Sequence, residues 1–158
     1  MGYFRYILFA SILFASCEKE KQMPVEPVIQ FKEYISYGAD SADCYISFED
    51  GDGDIGAPTE SKKINLRMLY LYKNSNGAFV PYDAIPGTLI FDTLYYDYVI
   101  PYATPEGQYQ ALEGDMLIKL RAAPLYLPSH KTVRFDITLW DRAGNKSNTV
   151  SSTEIITK

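Results

Sequence analysis

The densest group of chemistry-bearing residues is Glu49-Asp50-Gly51-Asp52-Gly53-Asp54-Ile55-Gly56. Asp50, Asp52 and Asp54 alternate with glycines, so a turning loop could bring three carboxylates onto one hard cation, and Gly51 and Gly53 permit the tight turns. All the donors are oxygen, which selects Ca2+ over transition metals. The loop is not an EF-hand: counting from Asp50, the sixth position is Ile55 rather than Gly and the twelfth is Ser61 rather than Glu. The same residues also make ordinary solvated turns. The expectation therefore has two forms, a structural Ca2+ on Asp50, Asp52 and Asp54, or a bare acidic turn. Asp141 and Asn145 form a smaller polar pair, read first as shaping a hairpin through Asx-type bonds and second as a further ligand set.

Other chemistry is sparse. His130 is the one histidine in the chain and lies in Leu127-Pro128-Ser129-His130-Lys131, a loop before a strand. A Ser-His pair adjacent in sequence does not make a catalytic dyad, and no nucleophile-elbow motif is present. A zinc site needs more His or Cys than one histidine and two cysteines supply. No pattern selects a carboxylate pair for glycoside hydrolysis. The expectation is a non-catalytic protein. The run Leu94-Tyr95-Tyr96-Asp97-Tyr98-Val99-Ile100-Pro101-Tyr102 is the candidate binding surface, with Tyr95, Tyr96 and Tyr98 as its residues, because Tyr joins an apolar ring to a polar tip. Tyr95 and Tyr96 have opposite parity, so one of them should face solvent. The plain alternative is ordinary strand residues in a Tyr-rich domain.

The N-terminus carries a different kind of chemistry. Met1 to Arg5 is a short basic start, Tyr6 to Phe14 is almost unbroken apolar, and Ala15-Ser16-Cys17 follows. The apolar run is shorter than the roughly 20 residues a spanning helix requires, and it fits the hydrophobic part of an export signal. Small residues at 15 and 16 suit a signal peptidase, and a thiol directly after the cut can take a diacylglyceryl group. Phe14-Ala15-Ser16-Cys17 resembles the lipobox of bacterial lipoproteins, with Phe14 in place of the commoner Leu. The resemblance implies that 1–16 is a signal peptide and that Cys17 is lipidated. Two or more acyl chains, each CH2 contributing about 0.8 kcal/mol when buried, hold a protein on a bilayer without a transmembrane helix. Residues 17–27 then comprise the lipidated Cys and a charged, Pro-bearing tether, whose residues 18–27 reach roughly 30–35 Å when extended.

Composition limits what the rest can be. With 1–16 removed from 158 residues, the remainder suits one domain, residues 28–158. Hydrophobic residues make up 47%, enough for a core, and the 14 tyrosines lean towards pleated, half-buried surfaces. Net charge is −5 and loss of Arg5 makes the mature part more acidic, which opposes nucleic-acid binding and adhesion to anionic lipid. With Cys17 lipidated, Cys44 has no disulfide partner, and its place in the apolar parity of 42–48 marks it as a small buried residue.

The elements that must position these groups read as strands. Ala42, Cys44, Ile46 and Phe48 alternate, as do Ile64, Leu66, Met68, Tyr70 and Tyr72, with Asn65 and Arg67 facing away. Met116, Ile118, Leu120 and Ala122 form a third set, and Val133, Phe135, Ile137 and Leu139 the cleanest. Less regular β-rich runs cover 28–37, 88–100 and 147–156. Turn residues separate them. Seven or eight strands of this kind predict an all-β antiparallel sandwich, with a small barrel as the alternative. Val133 to Asp141 followed by Arg142-Ala143-Gly144-Asn145-Lys146-Ser147-Asn148 resembles the closing strand pair of bacterial immunoglobulin-like domains. Together with the 48–56 motif and the signal, it is similar to small Bacteroidota lipoproteins with an immunoglobulin-like domain. That resemblance implies a cell-envelope location, lipid-anchored in the outer membrane, on either its periplasmic or its surface face. It implies no activity. Two functions follow as expectations: an interaction module for another envelope protein, or a surface that captures a glycan or small ligand.

Overall fold

The computed structural model describes residues 23–38, 41–58, 60–82, 93–103, 105, 110–121 and 129–157. The expected signal peptide 1–16, Cys17 and the first part of the expected tether, 18–22, lie outside them, as does Ala122. The described chain is all-β, and its strands are β1 (Val28–Ser36), β2 (Ser41–Asp50), β3 (Leu66–Lys73), β4 (Phe79–Pro81), β5 (Tyr95–Tyr98), β6 (Leu112–Arg121), β7 (Thr132–Leu139), β8 (Val150–Ser151) and β9 (Ile155–Ile156). Nine strands exceed the seven runs read from the sequence for two reasons. Asn74 to Gly77 turns β3 back into the short β4, with the Asn74 Oδ1 accepting from the Asn76 and Ala78 amides, both at 3.0 Å. The run 147–156 divides into β8 and β9 because Ser152 turns inward and its Oγ takes the amide of Phe135 at 3.0 Å.

All strand pairs are antiparallel. One sheet has the order β1-β2-β6. In the other, β3 and β7 pair along almost their whole length, from Leu66↔Leu139 to Tyr72↔Val133. β5 and β4 follow each other along the free side of β3, and β8 and β9 do the same along β7. The alternating residues of both sheets meet in one core. Ile29, Cys44, Ile46, Ile118 and Leu120 from the first sheet pack with Leu66, Met68, Tyr70, Val133, Phe135, Ile137 and Leu139 from the second. That shared core makes the arrangement a sandwich. At about 1.5–3 kcal/mol for each large apolar side chain, burial outweighs an exposed ion pair such as Lys32–Asp115, worth about 0–1 kcal/mol.

Two details depart from simple alternation. β1 reads irregularly because its register shifts between Phe31 and Glu33, so Ile29 and Phe31 face inward before the shift and Tyr34 after it. Ile64, expected to join the inward set of β3, is 42% exposed, because the strand begins only at Leu66.

Candidate functional site

The acidic loop starts where β2 ends. Asp50 is the last residue of the strand and is fully buried. The chain then reverses through Gly53, whose φ of 65° and close approach to the Gln110 carbonyl leave no room for a Cβ. The reversal sends Asp54 back over Asp50, and the Asp54 amide donates to Asp50 Oδ2 at 2.7 Å. The loop is fastened to the turn after β7: the Arg142 amide donates to the Asp54 carbonyl at 3.1 Å, and the Ala143 amide to Asp54 Oδ2 at 2.9 Å. Asp141, also buried, opens that turn. Its Oδ1 accepts from the amides of Gly144 and Asn145 at 2.6 and 2.7 Å, and its Oδ2 from Asn145 Nδ2 at 2.8 Å. The hairpin-shaping role read for Asp141 and Asn145 is therefore observed.

The carboxylates that converge are not the three spaced along the loop. Asp50, Asp54 and Asp141 each bring an oxygen within 4.8 Å of the others, and Asp52 stands outside this group. The substitution of Asp141 for Asp52 follows from the docking of the loop on the hairpin, which no local spacing encodes. Burial pushes the Asp50 carboxyl up to about 6, and the charges of Asp52, Asp54 and Asp141 add to it against the opposing hydrogen bond from Asp54. Asp52 is raised as well, by burial and then by Asp54 and Asp141.

The three candidate tyrosines do not share a face. Tyr96 lies opposite Met68 and Tyr98 opposite Leu66, both core residues, so these two point inward and are half-buried. The Tyr96 ring stands edge-on to Phe135 at 5.5 Å. Burial, with help from Tyr96 and Cys44, pushes the Tyr98 hydroxyl up to about 12. Tyr95 alone of the three faces solvent, 42% exposed, with the Arg67 guanidinium 4.4 Å above its ring. Arg67 also grips Asp97, at 2.6 and 2.9 Å. Among the described residues β5 is an edge strand, and a groove of about 490 Å3 runs between it and Lys119 and Arg121 of β6.

Three side chains are placed in ways the sequence pattern did not show. Asn65 was expected to face outward, yet it is 2% exposed and mimics a strand partner: its Oδ1 accepts the Ile100 amide at 2.6 Å and its Nδ2 donates to the Ile100 carbonyl at 3.1 Å. Asn148 clasps both backbone groups of Ile29 in the same way, each at 2.8 Å. His130 lies in the loop before β7 as read, and it is buried there. It stacks flat on Tyr72 at 3.8 Å, and its Nδ1 lies 3.1 Å from the buried Tyr70 hydroxyl. Its position directly before the cleanest strand was the only signal available. Cys44 is buried as expected, and burial pushes its thiol up to about 12.

Comparison with protein-family models, with curated proteins and with solved structures finds no match.

Proposed function

We propose that the protein is a non-catalytic lipoprotein of the outer membrane, anchored through Cys17, whose immunoglobulin-like sandwich serves as an interaction module for another envelope protein. The observation that carries this reading is the order of the N-terminus: Arg5, the apolar run 6–14, Ala15-Ser16-Cys17, then a charged tether leading into one folded domain. An anchored domain on a short tether is confined near the bilayer, which raises its effective concentration towards other envelope components. The docking surface we assign is the outer edge of β5. Tyr95 supplies an exposed aromatic held in place by Arg67, and the neighbouring groove is bordered by Lys119 and Arg121. Exposed tyrosine and arginine are the residue types that dominate protein contacts.

A second reading is supported by the Arg67–Asp97 pair beside the Tyr95 ring. An aromatic face next to fixed donors and acceptors also suits the rings and hydroxyls of a glycan. Cross-linking in whole cells, followed by purification of the full-length protein in detergent and mass spectrometry, separates the two. One dominant envelope protein should be recovered with the unmodified chain, and at least tenfold less of it with Tyr95→Ala. Equal recovery from both would remove this surface. Tyr95-dependent recovery of envelope polysaccharide instead would establish the glycan reading.

A further inference from the structure

Strands from the two different sheets end at the same place. β2 stops at Asp50, and β7 passes through the Trp140↔Lys146 bridge to Asp141. Asp54 lies with both, and the oxygens of the three come within 4.8 Å of one another. Carboxylates at that separation repel strongly unless something neutralises them. Among the described residues no lysine or arginine side chain bonds to any of them. Arg142, the cation nearest in the chain, directs its guanidinium to the carbonyls of Ile55 and Gly53 and over the Tyr102 ring at 4.2 Å.

A second observation is independent of the clustering. Asp50 is 0% exposed, and its Oδ1 has no hydrogen-bond partner. The buried Oδ1 atoms of Asp52 and Asp54 also have none. A buried carboxylate oxygen without a partner carries the full cost of its lost hydration. In both Asp50 and Asp54 the Oδ2 is fixed by a backbone amide, so the carboxylate is held in place while its Oδ1 stays available.

We infer that Asp50, Asp54 and Asp141 hold one calcium ion that joins the end of β2 to the turn after β7. The all-oxygen donor set selects a hard cation. Oxygens on opposite sides of calcium, at about 2.4 Å each, stand about 4.8 Å apart, whereas magnesium admits only about 4.1 Å. Separations within 4.8 Å accommodate calcium, and the titration with both cations below decides between calcium and magnesium. Asp52 and water are the candidates for the remaining ligands. Asp52 thereby changes from the central ligand of the spacing argument to a peripheral one, and Asp141 enters. The site also lies where the tether meets the domain, since the Gly51 amide donates to the Pro24 carbonyl at 2.7 Å. The ion would brace the end of the sandwich nearest the anchor. This inference does not depend on the partner surface at β5.

The test uses the full-length protein in detergent micelles, stripped with EDTA. Titration with CaCl2 should give heat with a stoichiometry near one. At a hundredfold excess over Kd, Tm should rise by roughly 5–10 °C, and MgCl2 should bind at least tenfold more weakly. Asp50→Asn retains an acceptor for the Asp54 amide and removes the buried charge. It should still unfold cooperatively in EDTA, at a Tm no lower than the parent's, while its calcium Kd rises at least tenfold. Asp54→Asn provides a second variant should the first fail to fold. Absence of both heat and Tm shift in the parent, an undiminished response in Asp50→Asn, or equal responses to calcium and magnesium would each overturn the assignment.

Discussion

His130 shows how a single side chain can be pinned by its surroundings. Tyr72 lies flat against one face of the ring, Tyr82 meets it edge-on at 5.3 Å, and the Tyr70 hydroxyl bonds Nδ1. Burial lowers its pKa, so the neutral form is the one that fits. The unfolded chain, with His near 6.5, takes up the proton first as pH falls. Stability from this group is therefore complete above about pH 6.5 and is lost as pH drops towards and through the lowered folded value. Asp50 of the acidic loop, pushed up to about 6 by burial, changes charge in the same range, so the measurement must be a difference. Urea unfolding of the parent and of His130→Phe, in EDTA at pH 7.5 and 5.5, should show the parent losing stability relative to the variant at the lower pH. A constant difference would mean that the imidazole takes up its proton in the folded protein as readily as in the unfolded chain. The sequence placed His130 correctly before a strand but could not show the tyrosines around it, which arrive from β3 and from Tyr82, just beyond β4.

At the scale of the strand, alternation was a reliable guide wherever both sheets are regular. Val133, Phe135, Ile137 and Leu139 face the core as the pattern required, and Ala42, Cys44 and Ile46 do the same. Alternation says less about the outer face. Thr138, on the face away from the core, is still 8% exposed, covered in part by Thr149, whose Oγ1 lies 3.1 Å from its own. A better exposed control is Leu117 of β6, 42% exposed between the core residues Met116 and Ile118. Phe135→Ala should cost about 3–5 kcal/mol in a denaturant titration, and Leu117→Ala within about 0.5 kcal/mol of zero. Comparable costs would contradict the inward and outward faces described here. Asn65 escaped the pattern for a physical reason. A polar residue that supplies both hydrogen bonds of a missing strand is buried by its function, and periodicity counts it as solvent-facing.

At the scale of the whole molecule, the sandwich is closed by polar clasps as well as by its core. Asn148, from the segment before β8, holds Ile29 of β1, and Ser147 Oγ accepts the Leu139 amide at 2.9 Å. The segment that resembled a closing immunoglobulin-like hairpin therefore fastens one sheet to the other. The proposed anchor belongs to this scale too. Growth of the producing bacterium with a labelled fatty acid should mark the protein, and Cys17→Ala should abolish the label and release the domain from the membrane fraction. Labelling that persists in Cys17→Ala would remove the lipoprotein reading and, with it, the confinement on which the proposed interaction module relies.

The sequence by itself determined the all-β class, the inward parity of the regular strands, the turn residues and the burial of Cys44. These depend on neighbours two to four residues apart, where backbone geometry dictates which side chains share a face. It also brought the acidic loop to attention, and it named Tyr95, Tyr96 and Tyr98 without resolving their faces. Only the tertiary structure decided that Asp141, far along the chain, completes the carboxylate group in place of Asp52. Only pairing with β3 turned Tyr96 and Tyr98 inward and left Tyr95 outside. Both outcomes depend on where one strand ends against another, and that is set by long-range packing, which local spacing does not carry.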